Sequence, residues 1–91
     1  MNSDFVIESA ETFAKLLSET TSDDTAKVYV MYDHALNRPA NPSELAQAAD
    51  YLNRFAAAYA ASGMDEDAAR ESAWSALCQT VLASNEFIYV R

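Results

Sequence analysis

The placement of its helix breakers constrains this chain more than any other feature. Ninety-one residues hold one glycine and two prolines. Both prolines lie in Asn37-Arg-Pro-Ala-Asn-Pro42, and the glycine is Gly63. Pro39 disfavours helix at Arg38, and Pro42 does the same at Asn41. Helix resumes at once, because Asn41 is a strong N-cap, Pro42 suits the first helical position and Glu44 stands third. Asn-Pro-Ser-Glu resembles a capping box with Asn in place of Ser or Thr. Ser62-Gly63 supplies the stop, since glycine reaches the left-handed conformation that ends helices, and Met64 would fold back onto Tyr59. Between these signals Leu45, Ala48, Ala49, Leu52, Phe55, Ala56 and Tyr59 recur at helical spacing. A helix over Pro42–Ala61 follows.

Three further helices are predicted around it. The first runs from about Asp4 to Ser18, with Ser3 as N-cap and Val6, Ala10, Phe13 and Leu17 on one face. Thr20-Thr-Ser-Asp-Asp24 is a polar break with several capping candidates. The second spans about Asp24 to Leu36, with Thr25, Val28, Tyr29, Tyr32, Ala35 and Leu36 as its stripe. Val30 and Met31 widen that apolar surface, which suits a central helix or one that meets another domain. The last starts near Asp65, whose acidic neighbours Glu66 and Asp67 suit a positive helix end. Its inner face is Trp74, Leu77, Cys78 and Val81. Ser84-Asn85 is expected to break it near Ala83, leaving Phe87-Ile-Tyr-Val90 as a short β-favouring tail, apolar enough to be tied down. The fold class is therefore all-α: a compact bundle of four helices with a short ordered C-terminal tail, in one domain over residues 1–91. Much of the 51% apolar content is alanine, so the larger side chains must carry the burial.

Charge narrows the partners. The net charge of −8 repels phosphate backbones and anionic lipid, which argues against nucleic-acid binding. No apolar run approaches the roughly 20 residues that cross a bilayer, so no membrane insertion is expected. Met1-Asn-Ser-Asp4 shows neither the basic region nor the apolar stretch of a signal peptide. Cys78 is alone, without a Cys-x-x-Cys or haem-attachment pattern, and reads as a small core residue.

Chemistry-bearing residues are few. His34 has no second histidine for a metal-dependent hydrolase, and its place late in a helix is favoured by the dipole alone. Asp65, Glu66, Asp67 and Glu71 lack the spacing and turn glycine of a calcium loop. One glycine cannot build a phosphate-binding loop, and nothing resembles a nucleophile elbow. No catalytic residue, cofactor or metal is assigned. The structural or interaction candidates are Arg38, Pro39, Glu44, Trp74, Asn85, Glu86 and Tyr89. Arg38 either clamps the turn, bonding helix carbonyls or a nearby carboxylate, or contacts a partner domain. Asn85 would end the last helix through its side chain, and Glu86 would pair with Arg38. Trp74, Tyr29, Tyr32 and Tyr59 read as core. Tyr51 and Tyr89 are the aromatics expected to be exposed.

Three stretches carry a family resemblance. Met1-Asn-Ser-Asp-Phe-Val6 resembles a Met-Asn-Ser-Pro-Phe-Val opening. Tyr32 to Leu45 resembles Tyr-x-x-Ala-Leu-x-Arg-x-Pro-(Thr/Ser)-x-x-Glu-Leu, and Trp74 to Arg91 resembles Ala-Trp-x-x-Leu-x-x-x-Leu-x-x-Ser-Asn-Glu-Phe-x-Tyr-Val. In this order they resemble the C-terminal end of the planctomycete-specific domain of unknown function that accompanies planctomycete cytochrome c-type modules. Asp4 stands where that family usually has Pro, and both suit a first helical turn. The resemblance implies the C-terminal part of a larger exported bacterial protein, hence an extracytoplasmic location. It carries over no catalytic residue.

The function this favours is a non-catalytic structural or protein-interaction module. Its partner would be the upstream domains of its parent, or another protein, met through apolar surface on the second helix and the tail. One alternative is an accessory wall of a redox or hydrolytic site formed mainly by upstream domains, marked by a deep pocket with converging acids and Arg38. The other is a polysaccharide-binding module, marked by an exposed row of Tyr51, Tyr89 and Trp74.

Overall fold

The computed structural model describes residues 3–90, and side chains from Asp4 to Ser84. Four helices follow one another: α1 (Ser3–Thr20), α2 (Asp24–Leu36), α3 (Pro42–Ala61) and α4 (Glu66–Val90). Among the described residues there is no strand.

Local chemistry sets most boundaries. At α2 the Asp23 carboxylate accepts the Ala26 N–H at 2.9 Å. The helix ends at Asn37, which sits in the left-handed region at φ 55° and donates its N–H to the Asp33 carbonyl. At α3 the capping box is complete. The Glu44 N–H donates to the Asn41 side chain at 2.8 Å, and the Asn41 N–H donates to Glu44 Oε1 at 3.0 Å. Gly63 terminates α3 with φ 104°. Its N–H bonds the Ala60 carbonyl while the Met64 N–H reaches the Tyr59 carbonyl, the paired bonds of a glycine-terminated helix. The Met64 sulfur accepts from the Ser72 hydroxyl at 3.5 Å.

The bundle is organised around α4, which packs along both α3 and α1, while α2 touches all three more sparsely. The expectation of a central α2 is thereby corrected. Ala69, Ala73, Trp74, Leu77, Cys78 and Val81 are all buried along α4, one broad apolar face. Tyr51 meets Thr80 while Asn53 meets Arg70, so α3 and α4 run antiparallel. A radius of gyration of 12.8 Å agrees with the roughly 12 Å expected of a folded chain this long.

Two further expectations are corrected. In α2 the buried face is Val28, Met31 and Ala35, with Tyr29 43% exposed, so Met31 displaces Tyr29 from the core. In α4 the helix continues through Ser84-Asn85 to Val90, so the expected break and β-favouring tail do not form. Ser and Asn each lower helix stability by only about 0.5–0.7 kcal/mol relative to Ala, and neither Gly nor Pro follows Gly63. The side chain of Ser3, expected as the first N-cap, lies outside the described residues.

Candidate functional site

The turn between α2 and α3 holds the first cluster. Arg38 and Glu44 form a two-pronged pair, with Nη1 on Oε1 and Nη2 on Oε2, both at 2.7 Å. Arg38 Nη1 also donates to the Pro39 carbonyl at 3.3 Å, and the guanidinium lies 5.4 Å from the centre of the Tyr32 ring. The sequence left Arg38 as a turn clamp or a partner contact, and the geometry is that of a clamp. Glu44 thus serves two turn elements at once, capping α3 and anchoring Arg38. The Arg38 bonds, followed by the Asn41 N–H, hold the Glu44 carboxyl down to about 2 from its ordinary 4.5. Burial raises the Tyr32 phenol; Glu44 adds to this and Arg38 opposes it.

A depressed carboxyl contributes stability that is present above its unfolded value and lost as pH falls through its folded one. For Glu44 that window runs from 4.5 down to about 2. Carbon-detected NMR titration will place the Glu44 midpoint near 2 in the native chain and move it up toward the ordinary range in Arg38→Gln. An unchanged midpoint in the variant would remove the guanidinium as the cause.

Beside the clamp lies an open groove of about 390 Å³ between the end of α2, α3 and α4, edged by Tyr32, Arg38, Glu44, Tyr51, Thr80 and Ser84. Its arginine and its carboxylate are spent on each other. The Tyr51 and Thr80 hydroxyls share a hydrogen bond at 3.2 Å, and the Tyr51 ring stacks on Phe55 at 4.2 Å. Among the described residues Glu44 is the one acid lining this groove, so converging acids, the mark of an accessory active-site wall, are not found there.

The second cluster joins three helices. Asp24, at the start of α2, accepts the Trp74 indole N–H at 3.2 Å through one oxygen and pairs with Arg70 through the other. Arg70 also donates to Asn53 of α3 at 3.0 Å, and the Lys27 ammonium lies 5.3 Å from the centre of the indole ring. Trp74 is only 2% exposed, as its core reading required, so an exposed aromatic row for sugars has no Trp74 in it. The sequence reading missed Arg70 and the inward role of Asp24. One signal was available: Arg70 stands one turn before Trp74, on the same face of α4.

Cys78 is enclosed, and burial pushes its thiol up to about 12 from 9.0. The attacking species is the thiolate. Ellman's reagent will therefore label the native protein far more slowly than the guanidinium-unfolded chain at the same pH, since the enclosed thiol must first open to solvent. Because the folded value is raised, the thiol's contribution to stability holds below pH 9 and fades as pH rises toward 12. Equal labelling rates would show that the thiol is not enclosed.

Among the described residues, no group of three His, Cys, Asp or Glu side chains is placed to hold a metal ion. Asp65 caps α4, accepting the Ala68 N–H at 3.4 Å. His34 packs its ring edge-on to Phe13, 6.2 Å between centres. The side chains of Asn85, Glu86 and Tyr89 lie outside the described residues, so the Arg38–Glu86 pair and the exposed tyrosine are not described. No helix among the described residues is long and apolar enough to cross a membrane.

A third feature is apolar and faces outward. Phe5 (58% exposed) and Leu16 (47%) stand eleven residues apart on α1. With Glu8, Ser9, Thr12 and Phe13 they line a shallow depression of about 450 Å³. The chain matches no protein-family model, no curated protein and no solved structure.

Proposed function

We propose that this chain is a non-catalytic interaction module, the C-terminal part of a larger exported bacterial protein, akin to the planctomycete-specific domain whose motifs it resembles. It docks through apolar surface against the upstream domains of its parent. The observation that carries this reading is the outward apolar face of α1. Phe5 and Leu16, on one line of that helix, are 58% and 47% exposed. Exposed apolar side chains gathered on one helix mark contact surfaces more often than isolated ones do. To the apolar surface expected on α2 and the tail, whose tail side chains lie outside the described residues, this reading adds α1.

The polar chemistry supports a structural role. Arg38 and Glu44 staple a turn, and Asp24, Arg70 and Trp74 tie α2 to α4. Calorimetric titration of this chain into the separately produced upstream region of its parent tests the reading. Binding is expected with a negative heat-capacity change, the mark of apolar burial. It should weaken by about tenfold or more when Phe5 and Leu16 both become serine, since each buried side chain is worth about 1.5–3 kcal/mol. Absence of binding would make the chain an autonomous module and end the docking proposal.

A further inference from the structure

Resting on the docking reading, we infer that the outer face of α1 receives an amphipathic helix edged with lysine and arginine. The stripe itself sets the shape. Phe5, Ser9, Thr12 and Leu16 follow i, i+4, i+7 and i+11, one line along the helix. Eleven residues of helix rise about 16 Å, which three turns of a packed helix match. The small Ser9 and Thr12 between two large apolar ends leave the depression into which a ridge of side chains fits.

Charge sets the chemistry of the edge. Glu8 stands three residues after Phe5, and Glu19 three residues after Leu16, so a carboxylate borders each apolar anchor. Lys15, the single base of α1, lies between Glu11 and Glu19 at i−4 and i+4, so the border stays acidic. The opposite border is not charged in this way, because Phe13 closes it against His34 of α2. A helix with apolar residues on one face and cations along one edge satisfies both features. A second copy of this chain would bring acid rows together, each chain carrying a net charge of −8. Anionic lipid meets the same repulsion.

The test is a selection from a displayed library of three-turn helical peptides. Apolar residues are held at i, i+4, i+7 and i+11, and the edge positions are free. Selection is on the native chain, with counter-selection on a Phe5→Ser, Leu16→Ser variant whose far-ultraviolet circular dichroism and melting are checked first. Both side chains are largely solvent-exposed, so the variant keeps its fold. Lysine and arginine should be enriched about tenfold over aspartate and glutamate at one edge, and the winning peptide should lose about tenfold in affinity between roughly 0.05 and 0.5 M salt. Glu8→Lys with Glu19→Lys should reverse the edge preference. Winners without a charge preference would overturn this inference and leave docking intact. No winner that prefers the native chain to the variant would sink both. Sedimentation of the native chain as a dimer that the variant does not form would make the occupant a second copy and overturn the inference.

Discussion

Trp74→Ala will lower the unfolding free energy by about 3–5 kcal/mol, the range for truncating a buried aromatic. The indole is 2% exposed at the heart of α4, and its N–H is bonded to Asp24 on α2. Removing it empties the space between helices and strips α2 of a tie to the central helix. A small domain holds roughly 5–15 kcal/mol in all. The loss should therefore appear as a fall of roughly 15–30 °C in melting temperature, or as failure to fold at 37 °C. Trp74→Phe separates the contributions. It keeps most of the ring and loses the N–H donor, so it should cost about 1–2 kcal/mol. Asp24 would then retain Arg70 alone. Urea titrations of both variants decide the matter: a Phe variant as damaged as the Ala variant would place the energy in the hydrogen bond, against a packing account.

Leu17→Ala has the next largest expected effect, about 2–5 kcal/mol. The buried face of α1 is Ala10, Ala14 and Leu17, and only the leucine is large. The two alanines bring α1 close to α4, while Leu17 is the one large side chain of α1 that is fully enclosed, with partly buried Phe13 packed beside the core. The loss should be local before it is global. Native-state hydrogen exchange of the variant should show α1 amides opening well below the global free energy, with α3 and α4 protected together. Uniform loss of protection across all four helices would show instead that α1 is fused to the rest in one cooperative unit.

How legible was this fold? Where an end depends on neighbours in sequence, legibility was high. Asn41, Pro42 and Glu44 make their cap within four residues, and Gly63 makes its stop with Tyr59 and Ala60. Those signals placed α3 residue for residue, and α2 likewise. The end of α4 was misjudged because Ser84-Asn85 is a weak breaker, outweighed by a helix already propagating through a packed core. The choice of Tyr29 over Met31 failed for a different reason. With Val28 through Tyr32 all apolar or aromatic, several faces of α2 could have turned inward, and only the partners chose between them.

The candidate site divides in the same way. Arg38 and Glu44 are six residues apart, so the turn motif brought both into view, yet their mutual pairing was passed over in favour of Glu86. Asp24 and Arg70 are 46 residues apart and meet only because α2 and α4 cross. The outward face of α1 was hidden too, because exposure is a property of what the other helices leave uncovered.

The sequence by itself determined that this chain is four helices, where α2 and α3 begin and end, and that its surface is acidic. Propensity, capping and charge act over a few residues or sum over all of them, and need no fold to be read. The tertiary structure alone decided that α4 is the centre, that Met31 rather than Tyr29 is enclosed, that Asp24 serves Trp74 and Arg70, and that α1 keeps an apolar face outward. Each of these depends on which helices share a surface, and that is set by the packing of the whole bundle rather than by any segment within it.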